Sequence, residues 1–361
     1  QKYKKQVEHI FESPMNLDTF TKIIFMKRRI KSVFVVLFFI SILSFGQTKN
    51  DSISKRMKLV QPKYLEAGDS IAIVAPAGIL IKRENIINEA KELAESWGLK
   101  VIIGDHVFNQ NNHFSGTDEE RTSDFQNALD NPSIKAIWCA RGGYGSGRIL
   151  DNLVYDKFKR SPKWIVGYSD ITAFHSHIHN LGIQTLHAMM GTSLLFDSEK
   201  TKQSIETLRK ALFGEALTYK INSSKYNKEG VTEGVLVGGN LSILQSMLGS
   251  ESQLNTDGSI LFIEEIGEYK YHIDRMLQSL KRAGYFDNCK GLIVGDMSNI
   301  KKNTTAWGSS IEQLILDVVE EFDFPVLFNF PAGHEPDNRA LVFGEKIKMN
   351  ITSTTSEIIF K

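Results

Sequence analysis

Only two cysteines, Cys139 and Cys289, occur in the 361 residues, too few for the disulfide framework of a small secreted scaffold. Cys139 ends the apolar run "IKAIWCA" and reads as a small buried hydrophobe, because nothing in the flanking sequence supplies a base to make it a nucleophile. There is equally no surplus of one charge: Lys plus Arg number 43 and Asp plus Glu 42, a formal net charge of +1. A nucleic-acid binder gathers a basic excess into a patch, so the balance points instead to a small-molecule or peptide partner. No apolar run reaches the roughly 18 to 20 residues that span a bilayer. The chain also shows no internal repeat and no low-complexity tract. What remains, 42% hydrophobic and 24% charged residues, is an ordinary globular composition with length enough for two domains.

The longest apolar stretch lies near the start. "MKRRIKSVFVVLFFISILSFGQ" opens at Met26 with Lys27, Arg28, Arg29 and Lys31, continues apolar from Val33 to Leu43, and closes on Ser44 and Gly46. That is the layout of a signal peptide over residues 26–46, cleaved after Gly46, and it predicts a periplasmic or secreted protein with no stable membrane insertion after cleavage. No cysteine stands at the cleavage point to carry a lipid anchor. Residues 1–25 precede the layout and read as a non-native or mis-started extension.

From Leu65 short apolar runs alternate with amphipathic ones. "DSIAIVAPAG" predicts a buried strand with a Pro/Gly turn, and "RENIINEAKELAESWG" a helix closed by Gly98. "KVIIGD", "IKAIWCA" and "KWIVGYS" predict further strands, with a helix over 118–131 whose first turn is acidic. Strict alternation implies βαβ units and a mainly parallel α/β sheet, with functional groups at the carboxyl ends of its strands. The polar stretch 213–230 reads as a connection, so an N-terminal domain over 60–222 and a C-terminal domain over 223–361 are expected, the second mixing short strands with two helices.

Several of these strand ends carry reactive side chains. In "WIVGYSDITAFH" Ser169 sits between a strand and a helix with Gly167 two residues before it. A nucleophile elbow needs that geometry, since a tight turn lifts the hydroxyl off the sheet and leaves the next N–H at a helix N-terminus. The second glycine of G-x-S-x-G is missing, however, and local sequence favours a serine N-cap. "RGGYGSGR" (141–148) can present backbone N–H groups to an anion, or supply an oxyanion donor from Gly142 or Gly143, but matches neither the P-loop nor the dinucleotide fingerprint. "HSHIH" puts His175 and His179 on one helix face and His177 on the other, with no companion ligands for a metal. "LFIEEIGE" ends a strand with Glu264 and Glu265 on opposite faces, one able to face a site while the other meets water or a salt bridge. His334 lies in the Gly/Pro-rich loop "NFPAGHEPDN", solvated or placed to act as a general base.

In order, the blocks "IAIVAPAG", "GTDEERTSDFQNALDNPSIKAIWCARGGYGSGRIL", "GYSDIT", "GVLVGGNLSIL", "ILFIEEIGEYKYHIDRML" and "PAGHEPDN" resemble the LD-carboxypeptidase family of serine peptidases, which includes the microcin C immunity peptidases. The resemblance spans roughly residues 63–350. It implies a flavodoxin-like N-terminal domain, related to class I glutamine amidotransferases, and a swivelling β/α C-terminal domain. It also implies a Ser-Glu-His triad carried to Ser169 in "GYSD", Glu264 in "FIEE" and His334 in "AGHE", with Asp170, Gly142 and Gly143 around the oxyanion. The family releases the terminal D-alanine of murein tetrapeptides, needs no metal or cofactor, and forms homodimers. Arg141 is a chemically sensible partner for the substrate's terminal carboxylate, or a brace for the glycine turn through backbone carbonyls. A hydrolase of another peptide or acyl-amide, and a non-catalytic cell-wall peptide binder, are the alternatives. Family members are often cytoplasmic, whereas the apparent export signal here predicts action on periplasmic peptidoglycan.

Overall fold

Apolar runs bounded by turn residues become strands throughout the computed structural model, which describes residues 59–195 and 198–361. The expected signal segment and the extension before it lie outside the described residues. In chain order the first five strands are β1 (Ser70–Val74), β2 (Lys100–Ile103), β3 (Ile134–Cys139), β4 (Trp164–Gly167) and β5 (Thr185–His187). They pair in parallel in the order β2, β1, β3, β4, β5. β3 and β4 are buried almost end to end, as strands covered on both faces must be. The main helices of this half are α1 (Glu84–Ser96), α2 (Asp118–Asp130) and α3 (Thr172–Asn180). α1 turns Ile86, Ile87, Ala90 and Ala94 inward and ends before Gly98, whose φ of 84° is open to glycine at little cost. α2 begins with a reciprocal cap, Thr117 Oγ1 accepting from the Glu120 N–H and the Glu120 carboxylate accepting from the Thr117 N–H.

Beyond α4 (Ser198–Phe213) the chain builds a second sheet from β6 (Thr218–Asn222), β7 (Gly230–Asn240), β8 (Ser259–Ile266), β9 (Gly291–Ser298) and β10 (Val326–Leu327). Three more strands follow, β11 (Leu341–Phe343), β12 (Lys346–Ile351) and β13 (Thr355–Phe360). The order is β10, β9, β8, β7, β12, β13, β6, parallel from β10 to β7 and antiparallel beyond. Helices α5 (Leu241–Ser246), α6 (Lys270–Arg282) and α7 (Ile311–Val319) accompany it. Two pairings were not legible in composition. The polar stretch read as a plain connection contains β6, which joins the edge of the second sheet and buries Tyr219. Conversely β11 pairs antiparallel with β5 and completes the first sheet. The sheets therefore do not part at residues 222/223 of the chain.

One apolar cluster joins the sheets, running from Ile71, Trp138 and Leu186 to Phe262, Phe330 and Met349. A close approach lies at the carboxyl end of β7. A Cβ on Gly239, whose φ is 143°, would stand 2.4 Å from Thr172 Oγ1, and the same hydroxyl accepts from the Asn240 N–H at 2.9 Å. Glycine is required there because α3 begins against β7, which locks the helix after Ser169 to the second sheet. We expect Gly239→Ala to lower stability by about 1–3 kcal/mol through overpacking, measured as a fall in the urea midpoint.

Candidate active site

β4 ends on Gly167 and the chain turns at once. A Cβ on Gly167 would lie 2.8 Å from Ile171 Cγ1, so the absence of a side chain lets the next turn fold back on the strand. Ser169 takes φ 62° and opens a short helical turn, Ser169–Ile171, ahead of α3. A left-handed backbone costs a non-glycine residue roughly 1–2 kcal/mol, so it persists only where its surroundings impose it. The N-cap reading of this serine is overturned: Tyr168 holds the cap position and no side chain makes a cap bond. Ser169 Oγ instead lies 3.0 Å from His334 Nε2.

His334 comes from the loop after β10, and its Nδ1 lies 2.7 Å from Glu264 Oε2. Glu264 is fully buried on β8. Burial opposes charging of the imidazole, but Glu264, followed by Glu265 and Asp296, outweighs it and holds the His334 pKa above the usual histidine value. The loop is fixed on both sides of the ring. The Gly333 N–H donates to Asn338 Oδ1 at 3.1 Å, the Glu335 N–H to Asp296 Oδ2 at 3.1 Å. A Cβ on Gly333 would fall 2.8 Å from Asp296 Cβ.

The glycine loop after β3 comes up against Ser169. A Cβ on Gly142 would lie 3.3 Å from Ser169 Cβ and 3.4 Å from the Asp170 nitrogen, so Gly142 leaves open the space beside the hydroxyl. Gly143, at φ 101°, turns the loop away. Arg141 uses its guanidinium on the Ile79 carbonyl, while the Gly78 N–H donates to the Gly142 carbonyl at 3.0 Å. The guanidinium thus ties the start of the glycine loop to the turn after β1.

Three further residues support the site, of which only Arg121 was not singled out from sequence. Asp170 is 2% exposed and accepts from the Ser146 N–H at 2.8 Å, tying the serine turn to the glycine loop; burial raises its pKa. Arg121, 1% exposed on α2, donates to the carbonyls of Pro76 and Gly145 at 2.5 and 3.0 Å and pairs with Asp118. His175 hydrogen-bonds the Gly167 carbonyl and Thr185 Oγ1, each at 2.9 Å, and so steadies the turn. Asp170 and His175 were legible beside Ser169, the first through the oxyanion reading and the second in the histidine run, whereas nothing in the sequence marks Arg121 as buried.

Glu265, expected to meet water or a salt bridge, does neither. It is 2% exposed and accepts from the N–H groups of Ser242 and Ile266, both at 2.8 Å. Burial pushes its pKa up to about 7. Cys139 is buried in β3, where burial pushes its thiol pKa well up, as an inert packing residue requires.

A hydroxyl on a strained turn, an imidazole on it, a buried carboxylate behind the imidazole and a glycine-cleared space beside the hydroxyl are the parts of a nucleophilic acyl-transfer centre. The comparisons agree with that chemistry. Residues 71–188 match the LD-carboxypeptidase N-terminal domain and residues 233–349 the LD-carboxypeptidase C-terminal domain. A Bacillus subtilis protein described as a probable murein peptide carboxypeptidase is 36% identical over 305 residues, 82% of this chain and 94% of that one. The murein tetrapeptide carboxypeptidase of Pseudomonas aeruginosa is 28% identical, over 76% of this chain and 91% of its own. The crystal structure of muramoyltetrapeptide carboxypeptidase from Oxalobacter formigenes superposes with a TM-score of 0.74 at 27% identity, covering 81% of this chain and 98% of that chain. A microcin C7 self immunity protein in complex with aspartyl sulfamoyl adenosine reaches the same TM-score at 24% identity, over 84% and 98% of the two chains, a likeness of fold.

Two outcomes follow from the geometry alone. In an NMR titration His334 should titrate above the ordinary histidine range, and Glu264→Gln should move it down, since the attraction that raises it goes while burial stays. Ser169→Gly should be more stable than Ser169→Ala by about 1 kcal/mol, both lacking the hydroxyl but only alanine keeping the left-handed strain, as read from the urea midpoints of the two variants.

Proposed function

This chain belongs to the LD-carboxypeptidase family, and from that premise we propose that it is a serine carboxypeptidase that removes the terminal D-alanine of a murein tetrapeptide. The observation that carries the mechanism is the unbroken line from Ser169 Oγ to His334 Nε2 and from His334 Nδ1 to Glu264 Oε2. His334 takes the Ser169 proton as the hydroxyl oxygen attacks the scissile carbonyl, and Glu264 holds the ring's orientation and stabilises its charged form. The tetrahedral oxyanion is received by the Asp170 N–H and one from the Gly142/Gly143 turn. Such a donor is worth on the order of 2.7–4 kcal/mol. The imidazolium then protonates the leaving D-alanine amine, and water, activated by the same histidine, releases the shortened peptide from the serine ester.

The strand order β2, β1, β3, β4, β5 supports a flavodoxin-like reading of the nucleophile-bearing residues 60–222. Residues 223–361 bring Glu264 and His334, in keeping with a swivelling β/α domain. Arg141, although engaged with Ile79, keeps further N–H donors for the substrate's terminal carboxylate. The basic-then-apolar layout of residues 26–46 supports export to the periplasm or beyond, and the family resemblance supports a homodimer.

The test is mass spectrometry of a diaminopimelate-containing murein tetrapeptide incubated with the purified protein. The unaltered chain should release one alanine and be indifferent to EDTA. Ser169→Ala should lose on the order of 10⁴-fold or more in kcat. Release that survives the substitution would remove Ser169 from the mechanism, and release abolished by EDTA would replace it with metal chemistry.

A further inference from the structure

Beyond β10 the chain goes on pairing with β9 although it forms no further strand there. The Phe330 N–H donates to the Val294 carbonyl at 3.1 Å, and the Asp296 N–H to the Ala332 carbonyl at 2.9 Å. This ladder stops at Gly333, whose φ of 141° suits only glycine, and His334 turns toward Ser169. At the next residue a side chain takes over from the backbone. The Glu335 N–H donates to Asp296 Oδ2 at 3.1 Å, and Ser298 Oγ, from the end of β9, donates to Glu335 Oε1 at 2.6 Å. The residue after the histidine is therefore held twice by β9, and of these two contacts only the one to Asp296 fixes its backbone.

Asp296 also brings a charge. A Cβ on Gly333 would lie 3.0 Å from Asp296 Oδ2 and 3.2 Å from Glu264 Oε2, so two carboxylates bracket the residue before the histidine. Glu264 spends its oxygen on the imidazole, Asp296 on the loop. Burial pushes the Asp296 pKa up to about 7; the charges of Glu335 and Glu264 add to this, while the Glu335 N–H and a charged His334 oppose it. Tyr168, at the end of β4, also feels this carboxylate, and burial keeps its phenol neutral by pushing its pKa up to about 12. Asp296 and His334 thus titrate over one range and influence each other. A proton on Asp296 removes a charge that favours the imidazolium, so the second proton enters less readily than the first.

We infer that Asp296 is a positioning residue for the reaction: through the Glu335 N–H it holds the His334 loop at its distance from Ser169, and near the imidazole it adds a second negative charge to that of Glu264. The inference rests on the triad reading above and extends it by one residue that touches neither serine nor substrate. The two roles separate by substitution. Asparagine keeps an oxygen that can accept from the Glu335 N–H and loses the charge, whereas alanine loses both.

The experiment takes the full chain, Asp296→Asn and Asp296→Ala through two readouts: kcat and KM on the murein tetrapeptide across pH, and NMR titration of His334. In Asp296→Asn the His334 titration should move to lower pH, by less than in Glu264→Gln, and the acid limb of kcat/KM should follow it and narrow to a one-proton curve. Its kcat on the alkaline plateau should fall by about twofold to threefold, as expected of a weaker base. Asp296→Ala should lose about tenfold in kcat, the worth of one hydrogen bond, with KM little changed. Should Asp296→Ala not fold, the titration and pH profile of Asp296→Asn decide alone. Variants that match the unaltered protein in all readouts overturn the inference. So does an Asp296→Asn protein that loses as much kcat as Asp296→Ala with the His334 titration unmoved, because Asp296 then serves packing only. If the unaltered chain releases no alanine while Asp296→Asn still moves the His334 titration, the peptidase reading falls and the hold of Asp296 on His334 stands.

Discussion

The 3.0 Å contact between Ser169 Oγ and His334 Nε2 joins the end of one sheet to a loop carried by the other, and most of the unusual features of the fold serve to keep it. A hydrogen bond is lost over a few tenths of an ångström, so the sheets must be fixed to each other at that tolerance. The shared apolar cluster supplies the adhesion, but hydrophobic contact is non-directional and sets no register. Register comes from the start of α3, where Thr172 is held against Gly239 and hydrogen-bonded by Asn240. The helix that follows the serine is thus seated directly on the sheet that carries Glu264.

Around this contact the protein buries an unusual number of ionisable groups. Glu264, Glu265, Asp170 and Arg121 are each no more than 2% exposed. A buried charge without partners costs far more than a surface pair gains, and the partners here are largely backbone groups. Asp170 and Glu265 take backbone N–H groups and Arg121 gives to carbonyls. Each therefore converts its desolvation cost into the placement of a loop: Asp170 and Arg121 hold the glycine loop, while Glu265 holds the start of α5. Glu264 differs in having one oxygen on His334 and the other without a partner. Its electrostatic effect is directed at the imidazole, which is the arrangement that raises a histidine's pKa.

The alternation of strands and helices was readable from apolar periodicity because strands such as β1 and β4 are short apolar runs that end at or just before glycine or proline. The opposite faces of Glu264 and Glu265 followed from the two-residue period of a strand, although both faces proved to be buried. Ser169 was harder. Its flanking sequence lacks the second glycine of an elbow, and the room that glycine would make is provided by Gly142 from a neighbouring strand end, which no local pattern can display. The crossing of β11 to the first sheet and the strand within the polar stretch 218–222 were hidden for a related reason. Strand pairing depends on which sheet edge is free, and composition carries no record of edges.

By itself the sequence determined the parallel α/β character, the collection of polar loops at strand ends and the supply of a serine, a carboxylate and a histidine at three of them. Which of the candidate groups meet was decided by tertiary structure. The contacts of His334 reach 70 residues back to Glu264 and 165 to Ser169, and at such separations nothing in local propensity correlates the positions of two side chains. Only the packing of two sheets through one core, with a glycine where α3 meets β7, brings them within hydrogen-bonding distance.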